Sequence, residues 1–99
     1  MMAIVRNGCC EIRGRADNVL VVLPPMNIEA AILHGEHVAV VLKNGYCQLY
    51  TADGKLVTMF SVSDAKYTKF VGKDQLAIHR RNGRVEVRDF SGRLVRVHA

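Results

Sequence analysis

The sequence predicts an all-β chain, an antiparallel meander of about 11 short strands arranged in three repeats, and three observations predict it. Asn-Gly stands between alternating apolar runs three times, at Asn7-Gly8, Asn44-Gly45 and Asn82-Gly83. That dipeptide is the strongest short-range hairpin signal, because a type I′ turn needs positive φ at both central residues. Sliding the chain along itself by 38 positions sets Val38–Gly45 over Leu76–Gly83, and the match runs on to Phe60 over His98 with six identities in 23 pairs. Sustained helical periodicity is absent.

The expected strands, in order, are residues 2–6, 9–13, 18–23, 28–33, 38–43, 46–51, 55–61, 66–71, 75–81, 84–89 and 93–98. Asp53-Gly54 and Ser91-Gly92 supply further turns that return the chain into another strand, so each full repeat reads as a four-stranded meander. Between Asn27 and His34 the residues Ile28, Ala31 and Ile32 have helical spacing, but eight residues are few for a helix, and the register with Lys66–Val71 makes the segment a strand. The chain 1–99 is one domain with repeats at 1–26, 27–64 and 65–99. The first copy is truncated: at an offset of 37, Met2–Ile12 underlies Ala39–Leu49 and then slips by one residue near Asp17. If the repeat is real, Val40 and Ile78 have matching burial, as do Leu49 with Val87 and Leu56 with Leu94.

A period of about 40 residues with four strands per unit, carried by Asn44–Val57 (NGYCQLYTADGKLV), resembles a β-propeller blade. No Gly-His or Trp-Asp dipeptide is present, so the tryptophan-aspartate repeat family is not matched. The alternative architecture for the same strands is a β-sandwich or barrel. The resemblance implies a scaffold or binding role. It also implies a homo-oligomer, most simply a dimer. Propellers close with roughly four to eight blades, and two chains of three would close a ring.

Composition is that of a folded globular chain, with 49% apolar and 23% charged residues. No apolar run approaches the roughly 20 residues of a spanning helix or the roughly 7 to 15 of a signal segment, so no membrane partner is expected and the cytoplasm is the expected compartment. Three cysteines, with Cys9 and Cys10 adjacent, do not form an even disulfide framework. On a strand the Cys9 and Cys10 side chains point to opposite faces. Cys10 and Cys47 share a repeat slot with Val85 and read as small buried hydrophobes, which leaves Cys9 as the more reactive thiol.

Charge is unevenly spread. Residues 1–64 hold five Lys/Arg against six Asp/Glu, and residues 65–99 hold nine against three. The expected basic interaction face therefore comprises Arg80, Arg81, Arg84, Arg88, Arg93 and Arg96, with Arg84, Glu86 and Arg88 on one face of a strand. Such a face attracts nucleic acid or an acidic protein surface, or serves as a charged edge that keeps a strand soluble. His34, Glu36 and His37 invite a metal reading, but two histidines in a turn without a third spaced ligand read as solvated side chains. His79, beside Arg80 and Arg81, reads as a surface base, and His98 lies near the end of the chain. Ser61, Ser63 and Ser91 sit in linkers or turns, with no nucleophile elbow or phosphate loop. No catalytic, metal or cofactor set emerges. The expected function is a non-enzymatic interaction or scaffold module acting as a homo-oligomer; the alternatives are nucleic-acid binding through the basic third and a small enzyme or ligand binder with its site at a subunit junction.

Overall fold

The computed structural model describes residues 1–98; Ala99, the last residue of the third expected repeat, lies outside them. Eleven strands and no helix occur among the described residues. They are β1 (Met2–Arg6), β2 (Cys9–Arg13), β3 (Val19–Val22), β4 (Ile28–His34), β5 (His37–Leu42), β6 (Cys47–Thr51), β7 (Leu56–Met59), β8 (Ala65–Val71), β9 (Gln75–Arg80), β10 (Val85–Asp89) and β11 (Leu94–His98). They form three antiparallel meanders, β1-β2-β3, β4-β5-β6-β7 and β8-β9-β10-β11, and none of these sheets closes into a barrel.

The segment with helical spacing is β4. Its apolar residues do not alternate with polar ones because both faces of the second sheet are covered. Ala31 and Leu33 pack on one core while Ile32 packs on the other. The same two-sided burial explains the unbroken apolar run Val38-Ala39-Val40-Val41, buried throughout.

The three sheets share one hydrogen-bond plan. Ile12 opposes Val21, Leu49 opposes Thr58 and Val87 opposes Arg96. Directly after each of these pairs the ladder shifts, inserting Leu20, Val57 and Val95 as the extra residue of a β-bulge in the outer strand. The turns that follow repeat as well: Gly14, Thr51 and Asp89 donate their amides to Asn18, Lys55 and Arg93. Val40 and Ile78 are both buried, as are Leu49 and Val87, while Leu56 and Leu94 are both exposed.

Two details differ from the sequence reading. Only Asn7-Gly8 is the two-residue turn with positive φ at both positions, 53° and 77°. At the other two sites an extra residue, Lys43 or Arg81, makes a three-residue loop: Gly45 donates to Leu42 and Gly83 to Arg80, and only the glycines have positive φ. The offset between the first two sheets therefore changes at this hairpin, from 36 (Ala3 with Ile12 matching Ala39 with Leu49) to 37 (Cys10 matching Cys47). No slip occurs at Asp17, which takes the positive-φ position of Gly54. An aspartate tolerates that conformation because its short polar side chain bonds locally.

The sheets stack face to face around two cores. Cys10 and Ile12 of the first sheet meet Ile28, Val38, Val40 and Tyr50 of the second, and Ala39, Val41, Cys47 and Leu49 of the second meet Ala65, Leu76 and Ile78 of the third. Each fully buried aliphatic side chain in these layers contributes about 1.5–3 kcal/mol. We call the face a sheet turns toward the next sheet its trailing face, and the opposite one its leading face. Each junction is also tied through backbone. Ile28 donates to the Gly8 carbonyl oxygen at 2.8 Å, and Ala65 donates to that of Gly45 at 2.9 Å.

Candidate functional site

The fold separates the basic residues into two populations. On the leading face of the third sheet, Glu86 is buried and accepts from Arg88 at 2.7 Å and Arg80 at 2.8 Å, while Arg80 also reaches Asp64 at 2.7 Å. Burial works to raise the Glu86 carboxyl; hydrogen bonds from Arg88 and Arg80, with their charges, outweigh it and hold it below the usual glutamate range. Arg80 and Arg88 are thus neutralised parts of the sheet junction. The same slots hold Glu11 with Arg13 in the first sheet and Gln48 with Tyr50 in the second, and in each the later residue donates to the earlier one. Arg13 and Arg88 also donate to the turn carbonyls of Asp17 and Gly92.

The remaining arginines of the expected face do not converge. Arg81 and Arg84 lie exposed in the β9–β10 turn, so Arg84 is outside the strand that carries Glu86 and Arg88. Arg93 lies in the turn at the opposite end of β10, exposed and paired with Asp89 at 3.5 Å. Arg96 is exposed on the trailing face, opposite Val87.

That trailing face has two transverse rows. One runs Tyr67, His79, Val85, His98 across β8, β9, β10 and β11, and the next runs Lys69, Ala77, Val87, Arg96. The matching rows of the first sheet are Val5 with Cys10 and Ala3 with Ile12 and Val21; those of the second are Ala30, Val41, Cys47 and Ile32, Ala39, Leu49, Thr58. Where the second sheet carries Ile32, Val41 and Thr58, the third carries Lys69, His79 and Arg96. Tyr67 and His79 stack with ring centroids 4.2 Å apart at 13°. His79 is therefore a part-buried ring, not a free surface base. Burial, and then the Lys69 charge, hold it below the usual imidazole range.

A second cluster occupies the end of the array formed by the β4–β5, β6–β7 and β10–β11 turns. His34 and His37 oppose each other at the ends of β4 and β5, in strands rather than in the turn between them; His34 is exposed and His37 half-buried. His34 stacks on Phe70 at 5.3 Å, His37 packs on Phe90 at 4.7 Å, and the two phenylalanines meet edge to face. His37 also borders a groove of about 540 Å³ between the first and second sheets, with Glu36, Asp53, Thr51, Leu20 and Met1. No group of three metal-binding side chains occurs among the described residues.

Cys10 and Cys47 are buried, and burial pushes their thiols up to about 11 and about 12, the Glu11 charge adding to the effect at Cys10. Cys9 is half-buried on the opposite side of β2. No helix among the described residues is long and apolar enough to cross a membrane. No protein-family model matches the chain, and no curated protein matches it.

Proposed function

We propose that this chain is a non-enzymatic interaction module, a propeller-blade-like array that works as a twofold homodimer joined through the leading face of its first sheet. One observation carries the reading. In the second and third sheets the leading rows are buried at Val38, Val40, Leu76 and Ile78, whereas the corresponding rows of the first sheet, Met2-Arg13-Val19 and Ile4-Glu11-Val22, meet no other sheet among the described residues. Met2 is 53% exposed, Val19 47% and Val22 55%. Within those rows the charges cancel, because Arg13 is bonded to Glu11 at 2.6 Å. Two rows that are apolar but for one internal ion pair, with Arg6 only at their edge, form the kind of exposed patch that marks a protein interface.

A twofold contact sets this face against its own copy. Closing a ring of six repeats head to tail would instead set the trailing face of the third sheet, with Lys69 and Arg96, against the leading face of the first, which carries Arg6, and so bring like charges together out of water. The substitution Ile4→Lys tests the reading. A charge at the centre of the contact converts the protein to a folded monomer on a sizing column, and an unchanged elution position contradicts the proposal.

A further inference from the structure

We infer that the trailing face of the third sheet is a binding platform for single-stranded nucleic acid. The inference concerns a surface on the opposite side of the array from the proposed dimer contact and does not rest on it. In the first and second sheets the trailing rows are apolar apart from Thr58 and are covered by the next sheet. In the third sheet they keep an apolar centre, with Ala77 and Val87 buried, but are bordered by the rings of Tyr67, His79 and His98 and by the cations Lys69 and Arg96. Lys66, the extra residue of the β8 bulge, adds a third exposed cation beside Tyr67.

Three features decide what such a face fits. The first is charge: the two rows contain no carboxylate. Glu86 points to the other side of the sheet, and the Asp89 carboxylate is occupied by the Ser91 and Arg93 amides. The second is the ring pair. Tyr67 and His79 are parallel, and Tyr67 remains 39% exposed, so it offers a flat surface on which an unpaired base stacks. The third is spacing. The rows lie about 7 Å apart and each spans about 14 Å across four strands, which places cations alongside the rings at both sheet edges. An acidic protein surface would use the cations and leave the ring pair without a role; duplex nucleic acid hides its bases from it. Unpaired bases on a phosphate backbone use both rows.

The test is fluorescence anisotropy of a labelled oligothymidine and oligouridine of about 10 nucleotides at low salt, a length suited to one such platform. With three cations engaged, affinity falls roughly twentyfold between about 50 and 200 mM salt. Tyr67→Ala weakens binding by about tenfold or more, and Tyr67→Phe retains it. Lys69→Glu and Arg96→Glu weaken binding and flatten the salt dependence, whereas Lys55→Glu, an equal charge change in the β6–β7 turn, leaves both within twofold. Circular dichroism confirms that each variant is folded; should Tyr67→Ala unfold, the Lys69→Glu and Lys55→Glu pair decides the question alone. No binding at low salt overturns the inference. So does equal affinity for duplex DNA or polyglutamate, or a Tyr67→Ala protein that is folded and binds like the parent.

Discussion

The Ala65 amide donates to the Gly45 carbonyl oxygen across 2.9 Å, tying the start of the third sheet to a turn at the tip of the second. The approach is close enough that a methyl group on Gly45 would overlap the Ser63 carbonyl, and the glycine also holds φ at +91°. Gly83 occupies the same slot in the third sheet with φ +89°, yet a methyl there meets nothing within 4 Å. Gly83→Ala is expected to cost about 1–2 kcal/mol, the penalty of positive φ alone. Gly45→Ala, which adds displacement of the β7–β8 connection, is expected to cost at least twice that. Urea unfolding of the two variants measures the difference, and equal losses would show that the junction is not tight.

Glu86 is the acid shared by Arg80 and Arg88, so its removal leaves part-buried Arg88 without an acidic partner and Arg80 with Asp64 alone. Glu86→Ala should destabilise the fold by about 2–3 kcal/mol, the range for losing charge-assisted hydrogen bonds inside a protein. The pH dependence has a definite sign. A carboxyl held below its ordinary value stabilises the folded state above the unfolded glutamate range, and that contribution disappears as pH falls through the depressed folded value. Thermal melts between neutral pH and about pH 3 should therefore show a smaller acid-induced loss in Glu86→Gln than in the parent, because the amide does not titrate in this range. An equal or larger loss would contradict the network.

Thiol chemistry separates the three cysteines. At pH 7 the Cys10 and Cys47 thiols, raised to about 11 and about 12 by burial, are protonated and shielded, so a bulky thiol reagent should spare both in the folded protein and reach only Cys9, which shares the leading face of the first sheet with Ile4, when dilution has separated the dimer. Denaturant should release the other two. Prompt modification of Cys47 in the native state would contradict the packing of the second and third sheets.

How much of this was legible from the residues follows from how local each feature is. Strand order and turn positions were readable because Asn7-Gly8, Asn44-Gly45 and Asp53-Gly54 announce themselves within a few residues. The change of offset falls at the first hairpin and not at Asp17, which resembles Asp53 by letter but in the backbone takes the place of Gly54. The sorting of the arginines was not readable. Arg80 finds Asp64 across a sheet junction, and Arg88 shares Glu86 with it, so the basic tract breaks into buried pairs and exposed residues only once the strands are in register. His37 against Phe90 and Tyr67 against His79 are likewise contacts between strands and turns that no short window of sequence contains. By residue type alone the two histidines read as solvated or surface side chains.

The proposal that the array associates through the exposed leading face of its first sheet is tested most directly by the mass of the unmodified protein in solution. Light scattering on a sizing column, run across a concentration series in the micromolar range, should return twice the 11.0 kDa of one chain, with dissociation only on dilution. A folded species at the mass of a single chain across the whole series would contradict it.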